Sequence, residues 1–206
     1  RVGRAGARVL SSATTVDEAR WLDERGVDAI VAQGAEAGGH RAMFLSSDVR
    51  TQLGTFSLVP RVVDAVRVPV IAAGGIADAR AVRAAIDLGA SGVQVGTAYL
   101  LCPEAETSAI HRAALSGPDA TVTAVTNVFS GRPARGIVNR AIRELGPLHP
   151  DAPGFPLAAV AMAPLRAAAE SAGLGDFSPL WAGQSAANCR TLPAADLTRE
   201  LAGSLT

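Results

Sequence analysis

The chain has 206 residues, 49% of them apolar, which supports one sizeable core and excludes a disordered polypeptide. Its 19 basic and 19 acidic residues cancel to zero net charge, so no basic field exists to gather nucleic acid or a membrane surface, and neither is expected as a partner. All 19 basic residues are arginine, which removes a Schiff-base amine and a phosphate-loop lysine from the chemistry open to these residues.

The opening R-V-G-R-A-G-A-R-V-L10 reads as the end of a helix entering a strand, without a charged-then-apolar leader. Thr15-x-x-Glu18 follows as a capping box, and Val16, Ala19 and Leu22 give the helix behind it an apolar stripe that ends at Gly26. D28-A-I-V-A-Q33 is continuous and apolar, as a parallel strand covered on both faces must be. Thr55 to Arg67 has helical spacing in Leu58, Val62 and Ala65. V68-P-V-I-A-A73 is a second buried strand and ends in Gly74-Gly75; Asp78 then caps a helix carrying Val82, Ala85 and Ile86 that stops at Gly89, and G92-V-Q-V-G-T97 is the next strand.

Four strands, near residues 8–12, 28–33, 69–73 and 92–96, alternate with helices, which implies βα units and a parallel sheet. No strand is followed by G-x-G-x-x-G, so a dinucleotide-binding sheet is the weaker reading. The expected fold is α/β, the later half, about four βα units, of a (β/α)8 TIM barrel. Residues 1–101 form the barrel portion; residues 102–206 form a mostly helical tail on the same domain, with helices near 157–172 and 194–201. Cys102 and Cys189 have neither paired spacing nor a histidine cluster, so no disulfide framework or zinc site is expected and a reducing cytoplasm fits. No apolar run reaches the roughly 18 residues of a membrane span.

A barrel brings its strand ends to one face, and three of those ends carry glycine: Q33-G-A-E-A-G-G-H40, A73-G-G-I76 and Q94-V-G-T97. Backbone N–H groups of such turns approach an anion closely, and the helix beginning at Asp78 adds positive dipole. The Thr97 hydroxyl supplies one more donor, while the amides of Gln33 and Gln94 suit the edge of a heterocyclic ring. Together they predict a site for a phosphorylated ring cofactor. His40, in the glycine-rich turn on that face, is the candidate acid or base. Glu36 and His40, four apart with glycines between and no third ligand, make a poor metal pair, so no metal is expected. His111 and His149 are expected to be solvated, Arg132 and Arg135 to tie the tail down, and Trp181 to be packing.

At these residues the sequence resembles the nitronate monooxygenase family, formerly the 2-nitropropane dioxygenases, which are flavin enzymes built on a (β/α)8 barrel. A-Q-G-A-E-A-G-G-H-R41, P-V-I-A-A-G-G-I76, G-V-Q-V-G-T-A98, F-S-G-R-P-A-R-G136 and L-W-A-G-Q184 carry the resemblance. It implies FMN as cofactor, contacted by Gln33, Gly38, Gly75, Gln94, Val95, Gly96 and Thr97, with Gly74 added on geometric grounds. It implies His40 as catalytic base, and oxidation of alkyl nitronates, or of nitroalkanes after proton removal, with O2 to a carbonyl compound and nitrite. Ala42 stands where the family usually has glycine. The family's opening strands, one with a Pro-Met motif and a later one with an asparagine beside the flavin, have no counterpart here. A truncated or incompletely covered polypeptide is therefore expected, with association of two copies as the alternative; alone, the residues are expected to hold FMN weakly. An FMN-dependent NAD(P)H:quinone or enoyl-thioester reductase and an inactive flavin-binding remnant are the competing functions.

Overall fold

A computed structural model describes residues 6–203, so Arg1–Ala5 of the expected opening helix end lies outside the described residues. The described residues divide into two compact units, one formed by residues 6–37, 42–95 and 198–203 and the other by residues 38–41 and 96–197.

The first unit is built on four strands, β1 (Leu10–Ala13), β2 (Ala29–Gln33), β4 (Val70–Ala73) and β5 (Gly92–Gln94), hydrogen-bonded in parallel in the order β1-β2-β4-β5. All four fall where the apolar runs placed them. Position in the sheet explains their different hydrophobicity: central β2 is buried at Ala29, Ile30, Val31 and Ala32, whereas edge β1 begins at the exposed Leu10.

Helices α1 (Val16–Glu24), α2 (Thr55–Val63) and α3 (Ala79–Asp87) link these strands. Thr15 and Asp78 cap α1 and α3 by accepting from Glu18 N and Ala81 N, and the stops at Gly26 and Gly89 are left-handed, with φ of +73° and +94°. Leu58, Val59, Val62, Val82 and Ala85 turn the helices' apolar stripes into the core with Ile30, Val31 and Ala72. The capping box closes differently from its usual form. Glu18 does not reach back to Thr15; its carboxylate accepts from Thr14 N and Thr14 Oγ1, both at 2.7 Å, and from Phe44 N at 2.6 Å and Leu45 N at 3.2 Å. One buried acid thereby joins a helix start to a loop 26 residues further on.

The second unit contains a sheet that the sequence reading lacks. β3 (Gly39–His40), β6 (Thr123–Thr126) and β7 (Ala134–Ile137) pair antiparallel in the order β3-β7-β6. Around it lie α4 (Ala109–Ser116), α5 (Arg140–Leu145) and α6 (Leu157–Ser171), and α7 (Ala194–Ala202) closes the chain; α6 and α7 match the expected tail helices, and α4 and α5 are additional. Leu101, Leu115, Ala120, Ile137, Leu180, Ala182 and Ala186 form one apolar cluster of this unit. Val128, Phe129, Ala141 and Ile142 form another, with Met162, Phe177 and Trp181 against it. Among the described residues no helix is long and apolar enough to cross a membrane.

Candidate functional site

Strand register gathers the glutamines. Gln33 pairs with Ala73 and Ala73 with Gln94, so the last residues of β2, β4 and β5 stand in one row across the sheet. Residues in register on parallel strands point to the same face, which puts both amides on one side. Gln33 Oε1 accepts from Ala42 N at 2.9 Å and so fixes the start of the loop that follows His40-Arg41. Gln94 is exposed, Val95 half-buried.

The turns after β2 and β4 lie against each other. Gly74 and Gly75 are consecutive left-handed residues, with φ of +110° and +72°. A Cβ on Gly74 would stand 2.9 Å from Ala37 N and 3.0 Å from Thr55 Oγ1, so glycine is required there by both backbone and space. Glu36 ties the turns to α2: its carboxylate accepts from Thr55 N at 2.8 Å and Thr55 Oγ1 at 2.9 Å, and the same hydroxyl lies 2.9 Å from Gly74 O. The N-cap of α2 is Gly54, which has no side chain to cap with, so Glu36 supplies the negative charge that the helix start favours. Neither Glu36 nor Thr55 belonged to the site expected from sequence. The spacing E-A-G-G-H had suggested only a poor metal pair.

In the second unit His40 sits on β3, paired with Ala134 of β7. Its residue surface is exposed, yet the ring is held on several sides. Nε2 lies 2.8 Å from Ser130 Oγ; the Trp181 ring is 5.4 Å away at 60°, and the Phe155 ring 5.9 Å away at 81°. Partial burial of the ring and the Arg132 guanidinium both lower its pKa from 6.5, burial contributing more. The neutral imidazole, the form that accepts a proton, is favoured at neutral pH.

Trp181 is thus more than packing, although it does pack edge-on against Phe129 at 5.7 Å. Its carbonyl accepts from His111 Nε2 at 3.1 Å. His111 is half-buried, contrary to the solvated side chain expected, and burial lowers its pKa despite that bond. His149 is also half-buried: its backbone exchanges hydrogen bonds with the Asn127 amide, and its Nδ1 accepts from Asp151 N. Both histidines were misjudged because their neighbours come from distant parts of the chain. Arg135 meets its expected structural role: it is buried and donates to Thr123 Oγ1 at 3.1 Å.

Gly38 and Thr97 also lie in the second unit. A Cβ on Gly38 would come within 2.6 Å of Ala182 C and Gly183 N, so close backbone packing already requires glycine there, whatever else it serves. Thr97 Oγ1 accepts from Gly183 N at 3.0 Å and still carries its hydroxyl proton. Gly96, just before it, is exposed, and a Cβ there would meet nothing within 4 Å.

Parallel strands alternating with helices define an α/β protein. The family model for nitronate monooxygenase matches residues 1–203. The chain belongs to that family. It is 48% identical over 201 residues to a nitronate monooxygenase of Pseudomonas aeruginosa, covering 97% of this chain and 57% of that protein. A probable nitronate monooxygenase of Staphylococcus aureus is 45% identical over 195 residues, 94% of this chain and 55% of that protein. Among solved structures, a nitroalkane oxidase from Streptomyces ansochromogenes superposes with a TM-score of 0.91 at 42% identity, covering 99% of this chain and 59% of that one. FabK from Thermotoga maritima follows with 0.77 at 28% identity, covering 98% and 62%. The chain therefore spans a little over half the length of the curated relatives it matches.

Proposed function

We propose that the chain serves the FMN-dependent oxidation of alkyl nitronates, and of nitroalkanes after proton removal, by O2 to a carbonyl compound and nitrite. We also read its parallel sheet as the later half, about four βα units, of a (β/α)8 barrel, and a cytoplasmic setting as suited to the unpaired Cys102 and Cys189. The observation that carries the functional reading is the row Gln33, Ala73, Gln94. It presents two amides, each both donor and acceptor, at the strand ends where glycine turns begin.

The residues fit a phosphorylated flavin. Amides on a common face match the alternating donors and acceptors along a ring edge. Gly74 and Gly75 turn the main chain through left-handed conformations, and Gly96 leaves open space before the Thr97 hydroxyl, as suits N–H groups that must approach a phosphate. In this reading Gln33, Gln94 and Val95 hold the ring, and Gly38, Gly74, Gly75, Gly96 and Thr97 hold the phosphate. FMN, when bound, supplies the withdrawal of electrons from the nitronate and their delivery to O2.

The chain's own part is to hold the substrate and move a proton. His40, kept neutral by partial burial and by Arg132, takes the proton from the carbon bearing the nitro group and leaves the nitronate. Trp181 and Phe155 lie against the imidazole and restrict its rotation. A substrate already ionised needs no such base.

The test is an absorption spectrum of the purified chain supplied with excess FMN, followed by nitrite release from propyl-2-nitronate without nicotinamide. Flavin bands and nitrite are expected, with His40→Ala losing turnover of a neutral nitroalkane. Rapid anaerobic bleaching by NADPH with no nitrite formed would replace this reading with the reductase.

A further inference from the structure

Between α5 and α6 the second unit holds a pocket of about 180 Å³, walled by Val128, Leu145, Ala158, Ala161 and Met162. Ala158, Ala161 and Met162 stand at i, i+3 and i+4 on α6 and so share one face of the helix. Two of the three are alanines, and their small side chains leave the room. An apolar cavity of roughly 150 Å³ admits benzene. This one suits a ring of that size carrying one more heavy atom.

Two polar residues also line it, His149 and Asp151. The segment that bears them leaves α5 through Gly146, left-handed with φ of +81°. One side chain then pins it: Asn127 Nδ2 donates to His149 O at 3.0 Å, and Asn127 Oδ1 accepts from His149 N at 2.9 Å. The imidazole is fixed as well. Its Nδ1 lies 3.2 Å from Asp151 N, and because a main-chain N–H can only donate, Nδ1 is the acceptor. A neutral imidazole has a single N–H, so the hydrogen is on Nε2. That Nε2–H has no protein partner among the described residues.

This combination selects its occupant. The walls suit an apolar body, and the Nε2–H suits an acceptor oxygen. A hydrocarbon would leave the N–H without water and unpaired. An ammonium group has no lone pair to offer it. The Asp151 carboxylate repels other carboxylates, nitrite and nitronates. An alcohol brings a hydroxyl hydrogen that loses its water partner among apolar walls.

We propose that this pocket is a binding site for a small neutral ketone, its carbonyl oxygen accepting from His149 Nε2–H and its alkyl body packed against Leu145, Ala161 and Met162. A ketone is also the class of product that the proposed oxidation releases from a secondary nitronate, but the binding inference stands without that reading.

Cyclohexanone is the probe. The chain has two methionines, Met43 and Met162, so labelling their methyl groups with 13C gives one reporter in the pocket and one control that does not line it; Met43→Leu assigns the two signals. Titration at about pH 8, where an ordinary imidazole is neutral, should shift the Met162 signal to saturation and leave Met43 unmoved. A Kd on the order of millimolar suits so few heavy atoms. Long-range 1H–15N spectra should show His149, assigned by the signals lost in His149→Leu, as the Nε2–H tautomer.

Ala161→Phe, which fills the pocket from an exposed helix position, should abolish the shift. His149→Leu should weaken binding by about 3- to 10-fold, the size of one net hydrogen bond. Cyclohexylammonium and cyclohexanecarboxylate should not saturate over the same range. A wild-type Met162 signal that does not saturate, or that moves in parallel with Met43, overturns the proposal without any variant having to fold. So do a wild-type Nδ1–H tautomer, an unchanged Kd in Ala161→Phe or His149→Leu, and cyclohexanol or either charged probe binding as tightly as the ketone.

Discussion

Replacing Glu18 with glutamine changes one buried atom and disturbs four hydrogen bonds. The carboxylate divides its acceptors evenly: Oε2 serves Thr14 N and Thr14 Oγ1, and Oε1 serves Phe44 N and Leu45 N. A glutamine carbonyl can keep the Phe44 and Leu45 pair, and the Thr14 hydroxyl can turn to accept from the new NH2. Thr14 N–H, however, then faces a donor. One unsatisfied buried N–H costs about 1–3 kcal/mol, and charge-assisted bonds that become neutral lose roughly another 1 kcal/mol. A net loss of about 3 kcal/mol corresponds to a fall in Tm of about 6–12 °C for a chain of this size.

The dependence on pH has a definite sign. Burial raises the Glu18 pKa, but the bonds from Phe44, Thr14 and Leu45 outweigh it and the net shift is downward from 4.5. The group therefore contributes stability that is fully present above about pH 4.5 and is lost as pH falls through the lower folded value. Thermal melts followed by circular dichroism at pH 7 and pH 3 check both points: the gap between wild type and Glu18→Gln should be wide at the first and narrower at the second. Equal Tm values at pH 7, or a gap that does not change with pH, would refute the account.

Gly38→Ala should destabilise by about 1–3 kcal/mol in urea melts, because its Cβ meets main-chain atoms that cannot swing away at 2.6 Å. Gly74→Ala combines a left-handed φ of +110° with a 2.9 Å approach to Ala37 N; a loss of about 1–2 kcal/mol from the backbone alone should come with reduced flavin content after gel filtration. For the proton step, burial and Arg132 lower the His40 pKa, so kcat/KM on a neutral nitroalkane should rise with pH through a midpoint below 6.5 and then level off. Arg132→Gln should move that midpoint upward, as shown by a pH–rate profile or by titration of the His40 signals.

The parallel sheet was legible because each of its signals is local. Thr15 and Asp78 announce helix starts, Gly26 and Gly89 announce stops, and the unbroken apolar run ending at Gln33 announces a strand covered on both faces. The antiparallel sheet was not legible. Two of its strands are only four residues long and β3 only two, and β7 carries Arg135 and Gly136 where an alternating pattern would have drawn notice. β6 and β7 pair as a short hairpin, but β3 joins them only through Gly39 and His40 pairing with Arg135 and Ala134, contacts that no window of sequence spans. The candidate site divides in the same way. Gln33, Gln94 and the glycine turns could be read from strand ends. Ser130, Phe155 and the Glu36–Thr55 link could not, because each is defined by a partner at least 19 positions away.

The shared level of Gln33, Ala73 and Gln94 sets unequal tolerances along the chain. Side chains alternate sides at every step of a strand, so one residue inserted within β5 ahead of Gln94 would send its amide through to the opposite surface. The same insertion in the connection between α3 and β5 would only lengthen a loop. Divergence among relatives should accordingly accumulate as length changes at the ends where strands begin, while spacing inside the strands stays frozen. Anyone redesigning this sheet therefore has very little freedom to move the two amides.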